Sequence, residues 1–133
     1  QDDLVNMQTG IMGYKGTVHY SFTPCINDEL AHLEDETNRS QILQSVCQII
    51  DRHIHLNYRI YPGNYVAYDI LYKSNRFAQE YTAQQKENFE NYLQGQIAKL
   101  GQFPIEDYQY MYEKMLLMYS NPLKNKLEAE GKA

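Results

Sequence analysis

The sequence predicts a mostly α-helical fold of five or six helices, with one β-strand at about residues 16–23. Three observations predict it. Apolar residues recur every three or four positions through most of the chain after residue 38, as on one face of a helix. Residues that accept bonds from free helix N–H groups stand before several of these stretches. Residues 17–23 alone alternate between polar and apolar side chains, which is typical of a strand with one buried face.

The longest predicted helix begins at Asn38 or Ser40, either of which can accept hydrogen bonds from the first free N–H groups. Its apolar residues fall at helical spacing on one face, which we expect to lie in the core. They are Ile42, Leu43, Val46, Ile49, Ile50, Ile54 and Tyr58.

A sharp corner is predicted at residues 61–64. Pro62 disfavours helical geometry at the residue before it, and Gly63 can take a positive φ. Asn64 is then expected to cap a second helix. The inward-facing residues of that helix are expected to be Val66, Ile70, Tyr65 and Tyr68.

The remaining helices are shorter or less regular. Glycines and Pro-containing turns set most of their predicted limits. We expect a helix ending at Gly10 and a short one at 28–36 with Leu30 and Leu33 inward. A further helix is expected from Thr82 to Gly101, with Gln85 in the reciprocal capping position. The last two are expected at 105–119, preceded by Pro104, and from Asn121 and Pro122 onwards as a short terminal helix.

The predicted strand has no evident partner. Val18, Tyr20 and Phe22 would share its buried face, and Pro24 would close it. An isolated strand leaves its N–H and C=O groups unpaired. We therefore expect either that its sheet belongs to a part of the protein outside this sequence or that it pairs with a second copy. The missing sheet is preferred.

Composition excludes some classes of function. The net charge is −5, with 22% charged residues, and the largest basic cluster is Lys124 with Lys126. Phosphate neutralisation needs more clustered Lys and Arg than this, so a nucleic-acid surface is not expected. No stretch resembles a signal peptide or approaches the roughly 18 apolar residues that a membrane span needs.

The two cysteines indicate the redox compartment, and the first residues indicate whether the chain is part of a longer protein. Cys25 and Cys47 have neither C-x-x-C spacing nor a disulfide framework, so a reduced, cytoplasmic setting is expected, with a single bridge between the two as the alternative. The chain begins with Gln1 rather than Met and opens inside a predicted helix. We therefore expect it to be a fragment of a longer protein.

The histidines offer little chemistry. Asp51 and His55 share a helix face beside His53 and could hold a metal, but a third or fourth ligand at credible spacing is absent. We interpret them as a polar helix flank. His19 and His32 have no visible nucleophile partner.

Neither the cysteines nor the acidic run predicts catalysis. A nucleophilic thiol needs an exposed, electropositive setting. Cys47 follows Val46 on an apolar helix and is expected to be buried and inert. Residues 34–36 are a run of carboxylates that we interpret as a solvated helix end. We therefore predict no catalytic, cofactor-binding or metal-ligating residue in this sequence.

Thirteen tyrosines and five methionines are the strongest compositional feature. Many recur on one predicted helix, where such a stripe is usually core with hydroxyls at the rim. The alternative is a surface that docks on a partner or a lipid. The residues concerned are Tyr108, Tyr110, Met111, Tyr112, Met115, Met118 and Tyr119.

Three segments together resemble the C-terminal region of bacterial lysophospholipid (1-acyl-glycerol-3-phosphate) acyltransferases of the glycerolipid acyltransferase superfamily. They are residues 3–10, the strand at 16–22, and residues 57–67, of which Tyr61-Pro62-Gly63-Asn64-Tyr65 is the best marker. In that family a strand ending in a Pro-Ile-Asn-like turn closes the catalytic sheet. This sequence has Pro24-Cys25-Ile26-Asn27 there, a departure of one residue.

The family's catalytic signature, His-x4-Asp, is absent. Five residues after His19, His32, His53 and His55 stand Pro24, Thr37, Tyr58 and Ile60. The family's phosphate-binding and glycerol-positioning motifs also have no counterpart, so no catalytic residue is carried over.

The resemblance implies a parent enzyme that transfers an acyl chain from a thioester donor to a lysophospholipid at the cytoplasmic membrane face. Residues 1–27 would then end the catalytic-domain sheet, and residues 28–133 would form a helical C-terminal domain. The implied partners are the parent's own catalytic domain, other subunits, and the membrane surface as a peripheral contact.

The alternative is a free-standing helical interaction module that dimerises through the strand edge and the Tyr/Met stripe. An independent metal hydrolase built on Asp51, His53 and His55 ranks far below both.

Overall fold

The computed structural model describes residues 2–13, 16–99 and 108–132. Within these residues the chain forms six α-helices, which confirms the prediction of a mostly α-helical protein. They are α1 (Asp2–Met12), α2 (Asn27–Ala31), α3 (Arg39–Asn57), α4 (Pro62–Leu71), α5 (Ala83–Ala98) and α6 (Tyr108–Ala129).

Two predicted helix starts are confirmed. The Asn38 side chain accepts hydrogen bonds from the N–H groups of Ser40 at 3.0 Å and Gln41 at 3.4 Å, so Asn38 is the cap of α3. At the start of α5, the Thr82 hydroxyl accepts from the Gln85 N–H at 3.2 Å, while the Gln85 side chain accepts from the Thr82 N–H at 2.8 Å. These bonds satisfy N–H groups that have no partner inside the helix.

The core lies where α4, α5 and α6 meet. α4 packs most extensively on α6, and both helices contact α5, while α3 also packs on α6. The buried apolar residues are Val66, Ala67, Phe89, Leu93, Ile97, Leu116, Leu123 and Leu127. Ile70, Tyr81, Tyr112, Met115 and Tyr119 pack against this cluster while remaining partly exposed.

The corner before α4 forms, although by a different mechanism from the predicted one. α3 already ends at Asn57, and Pro62 is the first residue of α4. Gly63 does not have a positive φ. A side chain at this position would be too close to α5, since a Cβ on residue 63 would lie 3.0 Å from the Phe89 ring. Glycine therefore allows α4 to approach α5 closely.

The prediction that Asn64 caps α4 is wrong. Tyr61 is the cap residue, and Asn64 is the third residue of the first turn. Its side-chain oxygen accepts from the Tyr61 N–H at 2.8 Å, and its side-chain amide donates to the Tyr119 carbonyl at 2.8 Å. One side chain thus closes the first turn of α4 and joins α4 to α6.

The C-terminal helix is continuous, so the predicted break at Asn121 and Pro122 is wrong. Pro122 lies inside α6, where its missing N–H leaves the Met118 carbonyl without a helical partner. Burial of Leu116, Ser120, Leu123 and Leu127 along one face holds the helix together across this point. The predicted helix end at Gly101 and the start near Pro104 and Ile105 lie outside the described residues.

The N-terminal third has little packing. α1 continues two residues beyond the predicted end at Gly10, and α2 covers only part of the predicted 28–36. The side chains of residues 3–12 and 16–25 are all exposed. This part of the chain therefore contributes little to the core.

The predicted strand at residues 16–23 is wrong. These residues are extended without regular secondary structure, and within the described residues they form no main-chain hydrogen bond with another segment. A strand requires a neighbouring strand to pair its N–H and C=O groups. The alternating sequence has no such neighbour in the described part of the chain.

Asn64→Ala should destabilise the protein more than Gln85→Ala, since both residues occupy the same capping position but only Asn64 also bonds to another helix. We expect Gln85→Ala to cost about 1 kcal/mol and Asn64→Ala about 2 kcal/mol in the free energy of unfolding. Urea unfolding of both variants measures the difference. Equal losses would mean that the bond from Asn64 to Tyr119 contributes no stability.

Candidate functional site

A surface groove lies between the extended segment and the end of α3. It has a volume of about 540 Å³. The odd-numbered side chains of the segment line one wall, and the last turn of α3 with the corner that follows lines the other. The lining residues are Thr17, Val18, His19, Ser21, Thr23, Ile54, Asn57, Tyr58, Arg59 and Tyr61.

The groove is polar on one wall and mainly aromatic and apolar on the other. The Arg59 guanidinium lies over the Tyr61 ring, 5.5 Å from its centroid. The Tyr61 hydroxyl is buried and has no hydrogen-bond partner within the described residues. His19 and the Ser21 hydroxyl both line the groove, and within the described residues no hydrogen bond joins them. The groove is large enough to hold side chains or a ligand.

The opposite side of the same segment is apolar and uncovered. Tyr20 and Phe22 lie there and are 80% and 92% exposed, whereas Val18, which is 58% exposed, also lines the groove. α1 adds more exposed apolar side chains, namely Leu4, Val5, Met7, Ile11 and Met12. Exposed apolar side chains of this size are typical of surfaces that contact a partner.

The histidines do not assemble into a metal centre. His53 Nε2 lies 2.5 Å from the Glu29 carboxylate, which ties α2 to α3. His55 instead lies 3.4 Å from the Asn125 amide. Within the described residues no group of three His, Cys, Asp or Glu side chains is placed to hold a metal. Asp51, His53 and His55 are therefore not brought together.

The remaining histidines, the acidic run and the two cysteines lie at the surface. His19 lines the groove, and His32 is exposed. Residues 34–36 are exposed, in agreement with a solvated acidic run. Both cysteines are free and exposed, so the prediction of a buried Cys47 is wrong.

Cys47 is exposed because α3 is less covered than its apolar pattern predicts. None of the side chains of α3 is fully buried. Ile42, Val46 and Ile49 are half-buried, whereas Leu43, Ile50 and Ile54 are 57%, 40% and 44% exposed. Part of its apolar face therefore lies against solvent.

Asp69 is a buried polar residue that the sequence pattern missed. It is only 3% exposed, and its carboxylate accepts from the Ser74 hydroxyl at 2.6 Å, the Phe77 N–H at 3.1 Å and the Tyr81 hydroxyl at 3.0 Å. Burial and this bond to Asp69 both raise the pKa of Tyr81. One buried carboxylate thus organises the link from α4 to α5, and its role is structural. The sequence signal for this role was the polar link that follows α4, together with Tyr81 at its end.

The Tyr/Met stripe of α6 divides between core and surface. Tyr112, Met115 and Tyr119 pack on the core, while Tyr108, Tyr110 and Met118 are more than half exposed. The Tyr119 hydroxyl bonds to the Tyr92 hydroxyl at 2.8 Å. Burial and then this bond raise the pKa of Tyr119 to about 12.

In comparisons with known proteins, no protein-family profile, curated protein or solved structure matches this chain. Among the described residues, no helix combines the length and apolar character required to cross a bilayer.

Asp69→Ala should be strongly destabilising. It removes the acceptor of three donors at once, and we expect a loss of about 2–4 kcal/mol in the free energy of unfolding. Ser74→Ala removes one donor and should cost about 1 kcal/mol. Amide hydrogen exchange at Phe77 should accelerate in Asp69→Ala. A loss no larger than that of Ser74→Ala would contradict the role of the carboxylate.

The pKa of Tyr119 also predicts alkaline sensitivity. Since its folded pKa, about 12, exceeds the unfolded value of 10.0, the folded state retains a proton that the unfolded state loses. Stability should therefore decline from about pH 10 and level off above about pH 12. Tyr119→Phe should flatten this decline, and Tyr92→Phe, which removes the hydrogen bond alone, should have a smaller effect. Urea unfolding between about pH 9 and pH 12 measures the pH dependence of the free energy of unfolding. If that dependence were the same in Tyr119→Phe as in the wild type, the prediction would be contradicted.

Proposed function

We propose that this chain is the non-catalytic, helical C-terminal module of a lysophospholipid acyltransferase. The parent enzyme would transfer an acyl chain from a thioester donor to a lysophospholipid. The resemblance at residues 3–10, 16–22 and 57–67 supports this assignment. It is consistent with the lack of a His-x4-Asp motif in the chain itself.

The observation that carries the proposal is the extended segment at residues 17–23. It has the alternating sequence of a half-buried strand, yet its apolar side is exposed and its main chain is unpaired within the described residues. Burying Phe22 alone in a protein interior would contribute about 2 kcal/mol. In the proposed enzyme this segment adds a strand to the sheet of the catalytic domain.

The helical part would then act as a support. The three-helix core of α4, α5 and α6 holds the corner at residues 58–61 in place, and the Lys126 ammonium bonds to the Tyr58 carbonyl at 2.8 Å. The corner lines the groove beside the extended segment. The module would therefore brace the last strand, contact neighbouring subunits, and lie near the cytoplasmic membrane face with the parent enzyme.

The second candidate is a free-standing interaction module, which the same segment favours if it pairs with its counterpart in a second copy. The two candidates differ in what lies next to residues 17–23. In the first it is a catalytic sheet, and in the second it is another copy of this chain.

The chain alone should show no acyl transfer from an acyl thioester to any lysophospholipid, whereas the coding sequence upstream of Gln1 should encode a domain with His-x4-Asp. Turnover by the chain alone, or an upstream frame without that motif, would contradict the proposal.

Phe22→Asp separates the two contexts. In this chain Phe22 is 92% exposed, so the variant should unfold within about 0.5 kcal/mol of wild type. In the full-length enzyme, where the residue would be buried, the loss should be about 3–5 kcal/mol. Gln94→Asp, on the exposed face of α5, should be tolerated in both. Tolerance of Phe22→Asp in the full-length protein would contradict the sheet assignment.

A further inference from the structure

The groove between the extended segment and the end of α3 differs in charge from the rest of this acidic chain. The chain has a net charge of −5, yet none of the described residues that line the groove is acidic. Among them the permanently charged side chain is that of Arg59. Such a lining favours an anionic ligand, because no carboxylate in its walls repels one.

The Arg59 guanidinium is both supported and available. It lies over the Tyr61 ring, 5.5 Å from the centroid, and burial of the Tyr61 hydroxyl anchors that ring in the protein. Within the described residues no carboxylate forms an ion pair with Arg59. A guanidinium stacked on a ring keeps its N–H groups free in the plane of the fork, where they match two oxygens of a phosphate group.

The wall formed by the extended segment carries hydroxyl and imidazole groups. They repeat at every second residue, about 7 Å apart, and all are exposed. An alkyl chain lying against this wall would remove water from these groups without replacing their hydrogen bonds, which is unfavourable. A ligand with hydroxyl groups of its own, such as a sugar, replaces them. The residues concerned are Thr17, His19, Ser21 and Thr23.

The opposite wall offers apolar and aromatic surface. Ile54 and Tyr58 line the groove there and are 44% and 39% exposed. The flat face of a nucleobase stacks on aromatic side chains of this kind. The volume of about 540 Å³ lies in the usual range of small-molecule pockets and exceeds what a phosphate ion alone would occupy.

We propose that this groove binds a nucleoside monophosphate. Arg59 binds the phosphate, the hydroxyl wall contacts the ribose, and the base lies against Tyr58. The chain has too few clustered basic residues for a nucleic acid, but a single phosphate group needs only one guanidinium. The site does not rest on the proposed enzymatic context, because both of its walls belong to this chain.

Titration of the whole chain with adenosine monophosphate, followed by amide NMR and calorimetry, tests the site. Adenosine, ribose phosphate and inorganic phosphate are the comparison ligands, since each lacks at least one of the three groups. Adenosine monophosphate should bind at least about tenfold more tightly than any of them. The amide signals of residues 17–23 and 57–61 should shift during the titration.

Variants on the two walls separate the contacts. Arg59→Gln should weaken binding of adenosine monophosphate at least about tenfold and leave adenosine binding unchanged, because it removes the phosphate contact alone. Unchanged adenosine binding also shows that the groove is still folded. Tyr58→Ala should weaken both ligands several-fold and retains the main-chain carbonyl that bonds to Lys126. Arg39→Gln, at the start of α3 and outside the groove, is the matched control and should change neither.

Four outcomes would overturn the proposal. Adenosine monophosphate fails to bind at concentrations up to about 10 mM, or its binding is the same in Arg59→Gln as in the wild type. Ribose phosphate binds as tightly as adenosine monophosphate, which would exclude a contact with the base. Inorganic phosphate binds as tightly as either, which would reduce the groove to an unspecific anion contact.

Discussion

The packing of α4 against α5 and α6 is the interaction on which the rest of the structure depends. α4 has only ten residues, too few to be stable as an isolated helix in water. Burial of Val66 and Ala67 supplies its stability, and polar contacts fix both of its ends. Asn64 joins the first turn to α6, and Asp69 near the last turn gathers the link that leads into α5. A short central helix thereby positions two longer ones.

Stability is distributed unevenly as a result. Among the described residues, those that are buried all come from α4 onwards, whereas α2 is held to α3 through the partly exposed His53–Glu29 contact. Contacts of this kind contribute little in water. The N-terminal third should therefore open at lower free energy than the three-helix core. This part also carries most of the uncovered apolar surface of α1 and the extended segment.

The features that the sequence predicted correctly are local. Asn38 caps α3, and Thr82 with Gln85 caps α5, because these bonds form between residues two or three positions apart. The apolar periodicity of α4 correctly placed Val66 in the core and Ile70 against it, but it did not identify Ala67 and Asp69 as buried. Pro122 was misinterpreted as a break because the burial that carries α6 across it depends on contacts with α4.

The features that were missed depend on distant parts of the molecule. A strand at residues 16–23 needs a partner strand, and no alternation in one segment can supply it. An apolar face on α3 predicts burial, but how much of it is covered depends on neighbours that the periodicity cannot specify. Asp69 is a polar residue on an apolar helix, and only the fold brings Ser74, Phe77 and Tyr81 around it.

The two uncovered surfaces differ in what they require. The extended segment turns its polar, odd-numbered side chains towards the end of α3, so the apolar side with Tyr20 and Phe22 faces away from this chain. A main chain with unpaired N–H and C=O groups is suited to an edge of a sheet, which offers complementary donors and acceptors. The exposed apolar side chains of α3, Leu43, Ile50 and Ile54, stand on a helix whose internal main-chain groups are already satisfied. This face therefore offers only side chains to a partner, unlike the extended segment.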